Sequence, residues 1–456
     1  MRRHHRPTTT LALVAALALA GCAAPLATGE SAVSSAPEDS ASTTVSAPEV
    51  TSALFTATEV HTIDVTVDED TLTGMIQTYL DTGEKEWIRG TVTIDGQTFE
   101  DVGLKLKGNS SLRGISTDTP AQELPLRIRL DKFVDDQTLE GYSDVTVRSN
   151  TTETSLNEAV SLDVLSAAGL ASTEAVATRF SVNGSEEELR LTVQNLDDAW
   201  VTDAFPEAGE DSVLYKSEAE GDWSWRGEDG DYSTAFDIEA GEDDYRPLIE
   251  LLDLLHHGTE EEIAQRLPEL VDLESFATYL AVQEIIQNTD DIDGPGNNSY
   301  LFWDSSTEQF TVVAWDHNLS FGAMNAGGGP GGGGAGGGMP TFEDGQVPEG
   351  LEPPAVEEGE MPEGVQPPGV EGDELPGGGG GMMSRSHPLV ETFLADEEWA
   401  AAYEAELTRL RTALVEGGVL EQAVSTWTTT LEDGAGDLLT ADQIEDDADA
   451  VLTVAE

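Results

Sequence analysis

From Asp244 onward the apolar residues of this chain recur at helical spacing, whereas most segments before it alternate with a period of two. That switch limits the fold to a sheet-rich part followed by a helical part, which is an α+β protein. His61 to Val67, Arg89 to Asp95, Val102 to Lys107, Leu126 to Leu130 and Val145 to Val147 read as strands, with a helix from Thr71 to Leu80. A helix from Leu156 to Leu170 follows, and then Ala175 to Val182 and Leu189 to Val193 flank Asn183-Gly184, a dipeptide that favours a tight hairpin turn. Beyond the switch, Leu248, Leu251, Leu252 and Leu255 form one helical stripe and Leu273, Phe276, Ala277 and Leu280 another.

The stretch 323–386 interrupts this pattern with long Gly runs and repeated Pro-Glu-Gly units, and such a segment has too little apolar surface to order itself. Helical periodicity resumes with Leu389, Phe393, Trp399, Tyr403, Leu407, Leu410 and Leu414. We therefore expect one domain built from residues 58–322 and 387–433, a disordered Gly/Pro/Glu-rich insertion over 323–386, and an acidic tail over 434–456.

At the N-terminus, Arg2, Arg3 and Arg6 precede a short apolar run that ends at Leu19-Ala-Gly-Cys22. The run is too short for a permanent membrane span, and the small residues before Cys22 suit a signal peptidase. Residues 1–21 read as a lipoprotein signal, Cys22 as the lipidation site, and 22–57 as a flexible tether rich in Ser, Thr, Ala and Pro. Cys22 is also the only cysteine, so an internal disulfide is excluded. The expected location is outside the cytoplasm, lipid-anchored to a bacterial cell membrane.

The formal net charge is −68, from 21 Lys and Arg against 89 Asp and Glu. A surface this acidic repels nucleic acid and anionic headgroups, leaving the lipid at Cys22 as the membrane contact. Most of the charge reads as a solubilising surface.

Directly after the second helical stripe lies Asp290-Asp-Ile-Asp293-Gly-Pro-Gly-Asn-Asn298, then a strand, a turn and Trp315-Asp316-His-Asn318. An Asp with an Asn five residues later and a second Asp at the end of a hairpin strand suits phosphoryl transfer. In such a site Asp293 would accept the hydroxyl proton, and Asn298 and Asp316 would hold Mg2+. Asp290 and Asp291 compete with Asp293 for the base, and only Asp293 has the right spacing to Asn298. An EF-hand calcium loop starting at Asp291 requires Glu at position 302, where this chain has Phe302. For the phosphates, the Lys107-Gly-Asn109-Ser110-Ser111 turn offers backbone and side-chain donors, and Lys105, Lys107, Arg127, Arg129 and Lys216 compete as cations, with Arg127 and Lys107 ranked first. Strand alternation puts Lys105 with Lys107, and Arg127 with Arg129, on one face each. His256 and His257 read as helix C-terminal residues, and Trp223 and Trp225 as packing.

Together, Val102-Gly-Leu-Lys-Leu-Lys-Gly-Asn-Ser-Ser111, Leu126-Arg-Ile-Arg-Leu-Asp-Lys132, the Val182-Asn-Gly184 hairpin, Val213-Leu-Tyr-Lys216, the Asp293 to Tyr300 loop and Trp315-Asp-His-Asn-Leu-Ser-Phe-Gly322 resemble the CotH kinases. The resemblance implies an atypical, two-lobed protein-kinase-like fold, an antiparallel sheet lobe followed by a helical lobe. It also implies ATP and Mg2+ (or Mn2+) as cofactors and Ser/Thr hydroxyls of a protein substrate as acceptors. Asp293 matches the catalytic-loop aspartate, Asn298 falls where the metal-binding amide is expected and Asp316 matches the metal-binding aspartate. The nucleotide contacts expected from the residues themselves are Lys107, Asn109, Ser110, Arg127, Arg129 and Lys216, and family members often carry Lys where this chain has Arg127 to Arg129. A clear kinase Lys-Glu pair is missing from the sequence: Gln194 and Asp197 or Asp198 stand where a Glu is sought. The alternative function is a catalytically silent envelope scaffold that keeps the fold.

Overall fold

The computed structural model describes residues 54–455 apart from 57, 219–220, 295–297 and 324–386. The signal, Cys22, nearly all of the tether and nearly all of the insertion lie outside the described residues. The described residues fall within one compact unit.

Seven strands form a closed barrel in the order β1-β2-β3-β4-β5-β7-β6. They are β1 (Val60–Thr66), β2 (Ile88–Ile94), β3 (Gln97–Leu106), β4 (Leu126–Arg129), β5 (Asp144–Val147), β6 (Ala175–Val182) and β7 (Glu188–Gln194). All neighbours are antiparallel except β1 and β6, which run parallel from Val60 opposite Ala177 to Val65 opposite Val182 and close the ring. Ile63, Val65, Val92, Leu104, Leu106, Leu126, Ile128 and Val147 alternate inward and form one apolar core with Met75 and Ile76 of α1 (Glu69–Thr82). Helix α1 begins at Asp68, whose side chain accepts from the Thr71 N–H, and ends at Gly83 with φ 77°.

Strands β6 and β7 are buried on both faces. Val176, Phe180 and Val182 point into the barrel, while Ala175, Ala177, Leu191 and Val193 pack on α2 (Leu156–Ala167) and begin a second core. Their turn is the expected one, with Asn183 at φ 53° and Gly184 at φ 73°. The short α3 (Asp198–Ala204) follows.

The second core surrounds a four-stranded antiparallel sheet, β11-β10-β8-β9, made of β8 (Val213–Ser217), β9 (Phe236–Ala240), β10 (Ser299–Asp304) and β11 (Gln309–Ala314). Helices α4 (Arg246–His257), α5 (Glu260–Leu270) and α6 (Leu273–Ile285) lead into β10. Helices α7 (Pro388–Ala395), α8 (Glu397–Leu410) and α9 (Val419–Ala435) follow β11, with a π-helical segment over Arg411–Glu416. The part expected to be helical thus contains a sheet of its own, because residues 213–240 and 299–314 pair across the intervening helices.

The expected acidic tail is corrected. Residues 441–455 form α10 (Ala441–Ala455), which buries Ile444, Ala448 and Val451 in the second core, while Asp447 accepts from the Thr154 backbone at 2.9 Å and its hydroxyl at 2.6 Å. Three apolar residues at i, i+4 and i+7 outweigh the acidic composition.

Candidate functional site

The β10–β11 hairpin builds the centre of the site. Ser299 pairs with Ala314, so Asn298 immediately before β10 and Trp315-Asp316 immediately after β11 emerge at one end of the hairpin. Asp316 takes the left-handed conformation, φ 63°, which Asp adopts more readily than most residues. Its carboxylate accepts a hydrogen bond from Arg148, just past β5, whose guanidinium also donates to Glu158 of α2 at 3.0 and 2.9 Å. Arg148 and Glu158 are buried. Burial works against the Arg148 charge, and the two carboxylates outweigh it, holding its pKa above the ordinary value. Burial raises the pKa of Glu158. Arg148 at the end of one strand and Glu158 in the first turn of α2 thus form a buried cation-glutamate pair, and none of Gln194, Asp197 and Asp198 takes part in it.

Trp315 packs edge-on against Tyr300 at 5.5 Å, and the Lys107 ammonium and Arg148 guanidinium lie 5.7 and 5.8 Å from its ring centre. Lys107 follows β3, its amide bonded to the Pro125 carbonyl. Burial, and then the charges of Lys216 and Arg127, push its amine down to about 7. The chain has only five lysines, Lys85, Lys105, Lys107, Lys132 and Lys216. Each is electrostatically coupled to another member of one cluster: Lys85 to Lys216 and Lys105, Lys105 to Lys132 and Arg127, and Lys107 to Lys216, Arg127 and Arg148. Lys105, Arg127 and Lys132 also surround the ring of Trp87 at 5.4, 5.9 and 5.1 Å. Lys105 and Arg127 are direct cross-strand partners, a repulsion offset in part by Asp144 and Glu239, which lie 2.7 and 3.8 Å from Arg127. A count of lysines along the sequence would have pointed here.

The other expected phosphate ligands divide. Arg127, ranked first with Lys107, is largely committed: its guanidinium grips the buried carboxylate of Asp144 with bonds of 3.0 and 2.7 Å. Arg129 pairs with Asp131 at 2.8 Å, on the same face of β4 as Arg127 and at the end of the strand away from Lys107. Lys216 reaches Glu218 at 2.6 Å. Lys105, Lys107 and Lys132 have no ion-pair partner among the described residues. In the turn after β3, Gly108 takes φ 102°, with Ser111 folded against it, and Asn109 accepts from the Lys85 ammonium at 2.9 Å. Asn109 and Ser110 are exposed beside the cluster.

Before β10 the chain packs closely at Gly294, where a Cβ would lie 2.4 Å from the Asp290 Cα. Asn298 donates to the Asp290 carbonyl and carboxylate at 2.9 and 3.1 Å. Asp293 turns elsewhere, one oxygen accepting the backbone N–H of His387 at 2.9 Å where the chain begins α7. No hydrogen bond joins Asp293 to Asn298, Asp316 or Lys107 among the described residues. Burial raises its pKa, and burial pushes Asp291 further, to about 6. Among the described residues no three His, Cys, Asp or Glu side chains gather as a metal cage. Asp316 and Asn298, adjacent at one hairpin end, suit instead a Mg2+ that arrives with phosphates and water as most of its ligands.

The aromatic and histidine residues singled out in the sequence make local contacts. Trp223 lies edge-on to Phe236 and His387, His256 bonds the Trp223 carbonyl at 2.7 Å, and His257 faces Asp253. Burial pushes His317, enclosed beside Gln283, down to about 4.

No curated protein matches this chain. A model of the CotH kinase protein family matches residues 104–445, from β3 to α10 and so across the site apart from Lys85 and Trp87, and the chain belongs to that family.

Proposed function

We propose that this protein is an extracytoplasmic, membrane-anchored atypical protein kinase that transfers the ATP γ-phosphate to Ser or Thr hydroxyls of a protein substrate, with Mg2+ or Mn2+. In this reading the barrel and the second sheet with its helices act as the two lobes of a kinase-like fold. The apolar run before Cys22 supports export and lipid attachment.

The observation that carries the reading is the gathering of all five lysines into one network of mutual repulsion, whose member Lys107 lies over the Trp315 ring next to Asp316, in a chain of net charge −68. Mutually repelling cations, of which Lys105, Lys107 and Lys132 have no ion-pair partner among the described residues, favour a bound anion, and phosphoryl transfer needs mainly positioned positive charge. Lys107, Lys216 and Lys85 would neutralise phosphate oxygens, with Asn109, Ser110 and the backbone after Gly108 donating from the turn. Asp316 and Asn298 would hold a divalent ion, which when bound supplies Lewis-acid neutralisation of phosphate charge. Arg148 and Glu158 would orient Asp316. Asp293 has one oxygen committed to His387 and the other to offer a substrate hydroxyl, and Asp291 is its rival.

Titration calorimetry with ATP and Mg2+, together with transfer of labelled γ-phosphate, tests this reading. Lys107→Met should weaken nucleotide binding and Asp316→Asn should abolish transfer. Metal-dependent binding that is absent in the unaltered protein would leave only the second reading, a silent envelope scaffold, which the Arg148 hold on Asp316 favours.

A further inference from the structure

We infer that the cleft between α2, α3 and the start of α9 binds a small organic cation, an ammonium group carried on an apolar body. This half-open cavity of about 880 Å³ shares no residue with the lysine cluster. Its volume is that of a site for a whole small molecule.

The walls are aromatic and aliphatic: Phe55 and Tyr142 on one side, Trp200 on another. Every charged side chain lining it among the described residues is a carboxylate, Asp163, Glu174 or Asp203. Glu174 accepts the Tyr142 hydroxyl at 3.0 Å, and Asp203 is exposed at the rim. Asp163 sits deeper: one oxygen accepts the Trp427 indole N–H at 2.8 Å, and the other has no hydrogen-bond partner among the described residues. Burial pushes this carboxyl up to about 6, as expected for an acid enclosed without a compensating cation.

These features select the ligand. An anion is repelled by three carboxylates. A neutral apolar molecule would strip water from Asp163 and give it nothing back. A bare metal ion finds no three converging ligands among the described residues. An alkylammonium satisfies Asp163, and the aromatic faces of Trp200 and Tyr142 attract it further. The ammonium can come from a free amine or from a lysine side chain.

The test titrates the whole protein with hexylammonium, hexan-1-ol and a short lysine-containing peptide, following heat and tryptophan fluorescence, since Trp200 lines the cleft and Trp427 bonds Asp163. Saturable one-to-one binding of hexylammonium is expected, about tenfold or more tighter than hexanol and weakened by a similar factor in Asp163→Asn. Ala204→Leu fills the cleft from α3 and leaves Asp163 intact, so it should block binding even where Asp163→Asn folds poorly. A response to the peptide assigns a polypeptide source, and a response to the amine alone assigns a free amine. Attraction by the diffuse charge of the surface would survive both substitutions unchanged, and that result overturns the assignment. Nucleotide and phosphoryl transfer play no part in the readout, so the outcome is independent of the proposed kinase activity.

Discussion

One guanidinium, that of Arg148, donates both to Asp316 at the end of the hairpin and to Glu158 inside α2. It thereby ties the barrel, the second core and the candidate metal ligand into one buried network. Such a network is sensitive to loss of a single member, because the partner left behind keeps its desolvation cost.

Arg148→Ala should therefore destabilise the protein by about 3–5 kcal/mol, with the buried Glu158 left unpaired. Urea unfolding measures the loss. Arg148→Ala combined with Glu158→Gln should recover part of it, whereas strictly additive losses would argue against a coupled pair.

Lys107 sets a pH dependence. Its amine is lowered to about 7 in the folded protein from the ordinary 10.5, so between these values the unfolded chain binds more protons. Stability should rise with pH across that window, and Lys107→Met should flatten the rise. A bound phosphate favours the protonated amine, so phosphate affinity should fall as pH climbs above 7 and binding near that pH should take up a proton. Calorimetry in buffers of different ionisation enthalpy detects the uptake.

Removing residues 437–456 should cost several kcal/mol, given about 1.5–3 kcal/mol for each large apolar side chain re-exposed. Ile444 and Val451 leave the core, and the Thr154 bonds to Asp447 that brace the approach to α2 are lost. A melting temperature unchanged by the truncation would contradict the packing of α10.

Gly108→Ala places a side chain at φ 102° with its Cβ 2.0 Å from the Ser111 hydroxyl. A loss of about 1 kcal/mol or more is expected from the backbone conformation alone. Adding Ser111→Ala removes the clash and not the strain, so thermal unfolding of the double variant should remain below that of the parent.

The strands around Lys105, Lys107, Arg127 and Arg129, the Asn183-Gly184 turn and the helical stripes of α4 and α6 were legible because each depends on residues close along the chain. Alternation set which cations share a face, and turn chemistry set the hairpin. The stripe of Ile444, Ala448 and Val451 was equally local and was masked by the surrounding acids. Closure of the barrel by the parallel β1–β6 pair depended on contacts more than a hundred residues apart, which no local pattern encodes.

The same division holds at the site. The sequence by itself determined the Asp293 to Asn298 loop, the Trp315-Asp316 step and the family, since these are short patterns of residue type and spacing. Only the tertiary structure decided that Arg127 is spent on Asp144, that Asp293 caps the start of α7, and that Arg148 and Glu158 supply the buried ion pair. A charge's role depends on which opposite charge lies within a few ångströms and how little water lies between them, and folding alone sets both.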